Sequence, residues 1–263
     1  MKEVNSYGWK AVIGSSIGYA MDGFDLLILG FMLTLISGDL GLTTGQAGSL
    51  VTWTLVGAVI GGFIFGTLSD KFGRVRVLTW TIVLFAVFTG LCAFAQGYWD
   101  LLIYRTIAGI GLGGEFGIGM ALAAEAWPAQ HRAKATSYVA IGWQLGVLAA
   151  ALLTPVLLPY IGWRGMFMVG IIPAFVAWIF RAKLHEPEIF VQSKDTKEHS
   201  HTNSFKLLVK DVRTTKTSIG VAILTSVQNF GYYGIMIWLP NFLSKQLGFS
   251  LTKSGLWTAV TAV

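Results

Sequence analysis

The chain has 263 residues, 54% of them apolar and 12% charged, with a formal net charge of +6. Soluble domains carry about 25% charged residues, so a water-exposed fold of this length would lack polar surface, and a polytopic membrane protein is the class that remains. The excess cations do not indicate nucleic acid, because they gather in segments on one side of the apolar runs, where anionic lipid headgroups are the simpler partner.

Apolar runs occur at 9–36, 46–69, 77–97, 100–124, 135–160, 163–181 and 217–244, and an eighth begins near Leu256. Each complete run can cross a hydrocarbon core of about 30 Å at about 1.5 Å per residue. The first run is broken by Asp22 and Asp25 and is followed by no convincing cleavage site, so it reads as a retained first span and not as a secretory leader. The lone Cys92 allows no disulfide within the chain.

Cations sort by loop. Lys2 and Lys10 precede the first span; Lys71, Arg74 and Arg76 follow the second; Arg132 and Lys134 follow the fourth. Arg181, Lys183, Lys194, Lys197, Lys206, Lys210, Arg213 and Lys216 surround the connection from the sixth to the seventh. These are fifteen of the 19 Lys and Arg residues; the alternate loops hold Arg164, Lys245 and Lys253, and Arg105 lies inside the fourth span. Positive charge marks the cytoplasmic side, so the N-terminus and the polar connection at 182–216 are expected in the cytoplasm. That connection divides the chain into a six-span unit, 1–181, a linker, 182–216, and a further unit, 217–263.

Between the second and third spans lies Gly66-Thr-Leu-Ser-Asp70-Lys71-Phe-Gly73-Arg74-Val-Arg76. Gly73 permits a sharp turn, since it lacks the Cβ that penalises positive φ. Spacing and residue types resemble the signature between helices 2 and 3 of the major facilitator superfamily of secondary transporters. The resemblance implies an all-α membrane protein of the major facilitator fold: a complete N-terminal six-helix bundle, helix 7 and the start of helix 8. It also implies that Gly66, Asp70, Gly73, Arg74 and Arg76 belong to a cytoplasmic gate that latches one conformation. A solvated turn whose cations only set topology is the plainer alternative. Glu125, Pro128 and Arg132 match the family's E-x-x-P-x-x-x-R, which puts Glu125 and Arg132 in the same cluster. Trp163, Arg164 and Phe167, and Glu186-Pro187-Glu188, resemble segments flanking the sixth helix and are taken as structural. Members of the family have two six-helix halves, so the chain is expected to be either a fragment or a naturally truncated product.

Asp22 and Asp25 are spaced i, i+3 and share a helix face. Asp22 lies 12 residues past Lys10, about 18 Å along the helix. An ionised Asp at mid-membrane costs about 2.5–3.5 kcal/mol, so the pair must take up a proton or find a cation, as a proton-coupling site requires. Polar packing between helices is the bland alternative. Asp25 takes precedence over Asp22. The Asp-Gly-Phe-Asp stretch resembles the organic-acid and sialate branches of proton symporters in the superfamily.

The fourth span reads Arg105-Thr-Ile-Ala-Gly109-Ile-Gly111-Leu-Gly113-Gly114-Glu115. Its glycines satisfy G-x-G-x-x-G, but no strand precedes them and no second half-unit follows, which excludes a dinucleotide fold. Gly109, Gly113 and Gly117 have the spacing of a helix-packing face. Glu115, at a depth close to that of the aspartates, is a second carboxylate for proton coupling. Arg105 is expected either to hold a substrate carboxylate bidentately or to pair with Asp25. Gln144 in the fifth span, and Gln228, Asn229, Tyr232 and Tyr233 in the seventh, are candidate substrate contacts, with polar packing as the competing role. No Gly-Pro signature of drug antiporters occurs in the fifth span. His199 and His201 read as solvated linker residues, not metal ligands.

The expected function is proton-coupled import of a small organic acid by alternating access. The expected form is a multi-pass, monomeric protein of the plasma membrane, with lipid and an organic anion as partners, no cofactor beyond the coupling proton, and no metal. A sugar or polyol carrier of the same superfamily and a non-transporting membrane fragment stay open. No nucleophile or metal cluster supports an enzyme.

Overall fold

The structure, a computed structural model, describes residues 6–182, 184–187, 190–191 and 209–262. Lys183, Glu188, His199, His201 and most of the expected linker lie outside the described residues. Among those described, every regular element is helical: α1 (Ser6–Leu40), α2 (Thr44–Phe72), α3 (Arg74–Cys92), α4 (Tyr98–Ala126), a short 3₁₀ turn (Ala129–His131), α5 (Arg132–Ala182), α6 (Val212–Met236), α7 (Leu239–Leu247) and α8 (Leu251–Ala262).

The boundaries have local causes. Gly41, at φ 62°, ends α1, and Thr43 starts α2 through a capping box with Gln46. Gly73, at φ 108°, turns the chain from α2 into α3. α5 holds the fifth and sixth expected spans, broken at Gly162 (φ 64°), so its arms at 132–161 and 163–182 fold back as separate crossings. Asp211 caps α6 by accepting from the Thr214 N–H, and that bond, with the Thr214 hydroxyl, holds its carboxyl below the usual carboxylate range.

Two expectations change. The run at 217–244 is not one helix: α6 ends at Met236, and α7 begins with a proline in its first turn. Proline lacks an N–H to continue the ladder but suits a helix start. The last helix starts at Leu251, before the expected Leu256. Five described helical stretches are long and apolar enough to cross a membrane, one being the double-length stretch containing α5. α6 is not among them; Thr214, Thr215, Thr217, Gln228 and Asn229 dilute its apolar character.

Glycines set how closely the helices approach. A Cβ on Gly109 or Gly113 would collide with the Thr54 or Ala58 carbonyl of α2, as one on Gly57 or Gly61 would with the backbone of α4. The expected face thus holds for Gly109 and Gly113. Gly117 departs from it, with nothing within 4 Å of its would-be Cβ. α6 meets the bundle near its C-terminus, where Met236 is its buried residue.

Candidate functional site

Three carboxylates and two guanidiniums lie buried along α1. At Asp25, Arg105 of α4 donates from both terminal nitrogens, at 3.0 and 2.7 Å, and its Nε reaches the Thr54 hydroxyl at 3.3 Å. The Phe167 ring lies 5.7 Å from the guanidinium. Neither partner is more than 1% exposed. This fork-on-fork geometry is the strongest form of the ion pair. It uses the nitrogens that a substrate carboxylate would need, so Arg105 stands as the partner of Asp25.

Glu115 is held in the same way. Arg181, at the end of α5, donates to its two oxygens at 2.8 and 2.6 Å, and Thr81 of α3 donates at 2.7 Å. Arg181 also reaches the Leu78 and Gly14 carbonyls. Gly18 makes room on α1, because a Cβ there would meet both the guanidinium and the Glu115 carboxylate. Arg181 is therefore not one of the loop cations among which the sequence places it; it is wholly buried. A cation closing an apolar run reads as a boundary residue, and the one available hint was the opposite charge of Glu115 within a neighbouring span.

Asp22 lies between these pairs on α1, one helical turn from Gly18 and three residues from Asp25. It is 1% exposed, and neither carboxylate oxygen has a hydrogen-bond partner among the described residues. Its charged neighbours are Glu115, Arg181 and Asp25, and Tyr19 and Tyr233 lie close enough to feel its charge.

Of the expected substrate contacts, Gln144, Tyr232 and Tyr233 come together. The Trp143 indole donates to the Tyr232 hydroxyl at 2.7 Å, and that hydroxyl donates to Gln144 Oε1 at 3.3 Å. The Trp143 ring lies 5.1 Å from Tyr19 and 6.0 Å from Tyr233. Trp143 and Tyr19 were not among the residues expected from sequence, where a lone aromatic in an apolar run carries no distinguishing mark. Gln228 and Asn229 are exposed on α6, one helical turn before Tyr232 and Tyr233.

At the far end of α2, Arg74 bridges Asp70 at 2.7 Å and Glu125 at 3.0 Å. Glu186 accepts from the Val75 and Arg76 backbone N–H groups at 3.2 and 3.0 Å, capping α3. Its carboxylate fills the space that a Cβ on Gly73 would need. The side chains of Arg76 and Arg132 are exposed and stand outside the bridge. Gly66 joins the Arg74 region as part of the lining of a cavity of about 360 Å³ between α2 and α4. At the opposite end, Asp39 accepts from Trp163 and Arg164, which bears the structural role assigned to those two residues.

The sequence model of the Major Facilitator Superfamily matches residues 15–263. The chain belongs to the Major Facilitator Superfamily. It is 78% identical over 98% of its length to a putative metabolite transport protein of Haemophilus influenzae, of which it covers 65%. It is 37% identical to a probable 4-methylmuconolactone transporter of Cupriavidus pinatubonensis, covering 87% of this chain and 54% of that one. It is 33% identical to the sialic acid transporter NanX of Escherichia coli, over 73% of this chain and 48% of that one. The chain thus spans two thirds or less of the curated relatives it matches. Among solved structures, a D-xylose–proton symporter superposes with a TM-score of 0.75 at 22% identity, covering 98% of this chain and 66% of that one, which establishes the shared fold. The all-α major facilitator fold and a multi-pass membrane protein follow, and the family is one of transporters and not of enzymes.

Proposed function

We propose that the chain forms the substrate- and proton-handling half of an importer that couples entry of a small organic anion to a proton. The observation that carries this reading is Asp22, a buried carboxylate with no hydrogen-bond partner among the described residues, between two carboxylates already neutralised by arginine. An unpaired charge there is costly, whereas a protonated acid is tolerated, so Asp22 is the group whose charge can change during a cycle. The roles expected of Asp25 and Asp22 are thereby exchanged: Asp25 has found its cation, and Asp22 carries the proton. Glu115 and Arg105 serve as members of the two ion pairs.

The relatives named for muconolactone, muconate and sialic acid support an organic anion as substrate. Gln144, Tyr232 and Tyr233 offer it hydrogen bonds beside the Trp143 ring, and Gln228 and Asn229 lie exposed one turn earlier on the same face of α6. Asp70, Arg74 and Glu125, with Gly73 shaping the turn and Gly66 lining the adjacent cavity, form the cytoplasmic gate, and Arg76 and Arg132 add positive charge at its rim. In this arrangement 1–181 is the first half, 182–216 a cytoplasmic linker and 217–263 part of a second half, in a monomer of the plasma membrane.

The test is uptake into proteoliposomes by residues 1–263 joined to the remainder of the Haemophilus relative. Labelled cis,cis-muconate, benzoate and N-acetylneuraminate are offered with and without an imposed pH gradient. Accumulation of at least one acid above equilibrium, abolished by a protonophore, is expected. Equilibration that ignores the gradient would remove proton coupling.

A further inference from the structure

We propose that Arg181 is shared between Glu115 and Asp22, so that one proton decides which carboxylate the guanidinium serves. The inference rests on the reading of Asp22 as the proton site and adds a second, unassigned residue to it.

The buried group contains Asp22, Asp25 and Glu115 against Arg105 and Arg181, each no more than 2% exposed. Fully ionised, it carries one net negative charge in a site where uncompensated charge is strongly disfavoured. One proton closes the balance. Tyr19 and Tyr233, the other titratable side chains facing Asp22, add no charge when neutral.

With Arg181 turned to Glu115, both Asp22 oxygens lack a donor among the described residues, and the Arg181 Nε is itself a buried donor without an acceptor among them. An orphan donor and an orphan carboxylate in one compartment describe two resting positions for one cation. Arg105 is not equivalent: Thr54 already takes its Nε and Asp25 its terminal nitrogens.

Arg181 and Glu115 lie against Gly18, one turn from Asp22 on the same face of α1. Passage of the Asp22 proton to Glu115 draws Arg181 along that face, keeps the charge count closed, and loosens the Glu115 contact that through Thr81 ties α4 to α3. It also frees the Leu78 carbonyl, one turn along α3 from Arg74 and the charged-end bridge. Protonation at Asp22 is thereby linked to helix packing near Gly73. Arg181 acts as a positioning residue, through Asp22 and Glu115.

The test uses the purified 263-residue chain in detergent, with infrared difference spectra counting protonated buried carboxyls at neutral pH. The wild type gives one carboxyl band, and Asp22→Asn removes it. Arg181→Gln doubles it, because three acids then face one arginine. The deciding variant is Glu115→Gln: a shared Arg181 turns to Asp22, which ionises, and the band disappears. A band of undiminished area in Glu115→Gln overturns the sharing while leaving Asp22 protonated; a wild type with no band overturns the reading of Asp22 as well. A measurement without substitution guards against misfolding. In wild-type chain with ¹³C-labelled glutamate carboxylates, a glutamate stretch must shift as the Asp22 band titrates away, and must stay fixed in Asp22→Asn. A wild-type glutamate signal that ignores the Asp22 titration overturns the proposal.

Discussion

Arg105 and Arg74 are both paired arginines, yet they differ in what their loss would cost. Arg105 is out of contact with water, and its removal leaves the Asp25 carboxylate buried and alone, which costs about 3–5 kcal/mol in such settings. Arg105→Ala should therefore lower the thermal stability of the detergent-solubilised chain severely, and adding Asp25→Asn should restore most of it. Failure of the second change to rescue the first would mean that the pair does not set the cost. Arg74 is 15% exposed and its partner Asp70 53% exposed, so water takes over part of its work; Arg74→Ala should cost about 1 kcal/mol. The sequence made the Asp25–Arg105 pair visible as one of two roles for Arg105, since both charges lie inside apolar runs. It hid Arg181, because an arginine that ends an apolar run looks like the start of a loop.

At the scale of elements, the α2–α4 seam depends on missing side chains. Gly113→Val would press against the Ala58 carbonyl, and such overpacking costs about 1–3 kcal/mol. Gly117→Ala, with open space around it, should instead be neutral or gain up to about 1 kcal/mol of helix propensity. Parallel melting curves of the two variants check this; equal destabilisation would mean that the seam does not govern stability. The i, i+4 glycine spacing was readable, and so were the spans. Which glycine touches a neighbour was not, because spacing fixes a face of a helix but not how far the contact runs along it. The break at Ile237–Trp238 inside an apolar run was also missed, although Pro240 carried the signal.

For the whole molecule, topology rests on the asymmetry of cations between alternate loops, which survives the removal of Arg181 from the tally. Lys210 is exposed, just before α6, and the native Cys92 is buried. Lys210→Cys should thus react with a membrane-impermeant maleimide only after cells are permeabilised; strong labelling of intact cells would invert the orientation. Composition made a polytopic membrane protein legible, and the Gly66–Arg76 motif made the family so. The proposed proton site was legible as a pair of aspartates and no further, since the choice between them depends on which one an arginine from another helix reaches.

That choice is the central claim, and one substitution tests it. In proteoliposomes carrying residues 1–263 joined to the remainder of the Haemophilus relative, Asp22→Asn keeps the shape of the side chain but cannot titrate. The labelled acid that the unsubstituted protein accumulates should exchange across the membrane in Asp22→Asn, yet no longer be concentrated by an imposed pH gradient. Concentration at the unsubstituted level in Asp22→Asn, together with its loss in Asp25→Asn, would contradict the assignment and return the proton to Asp25.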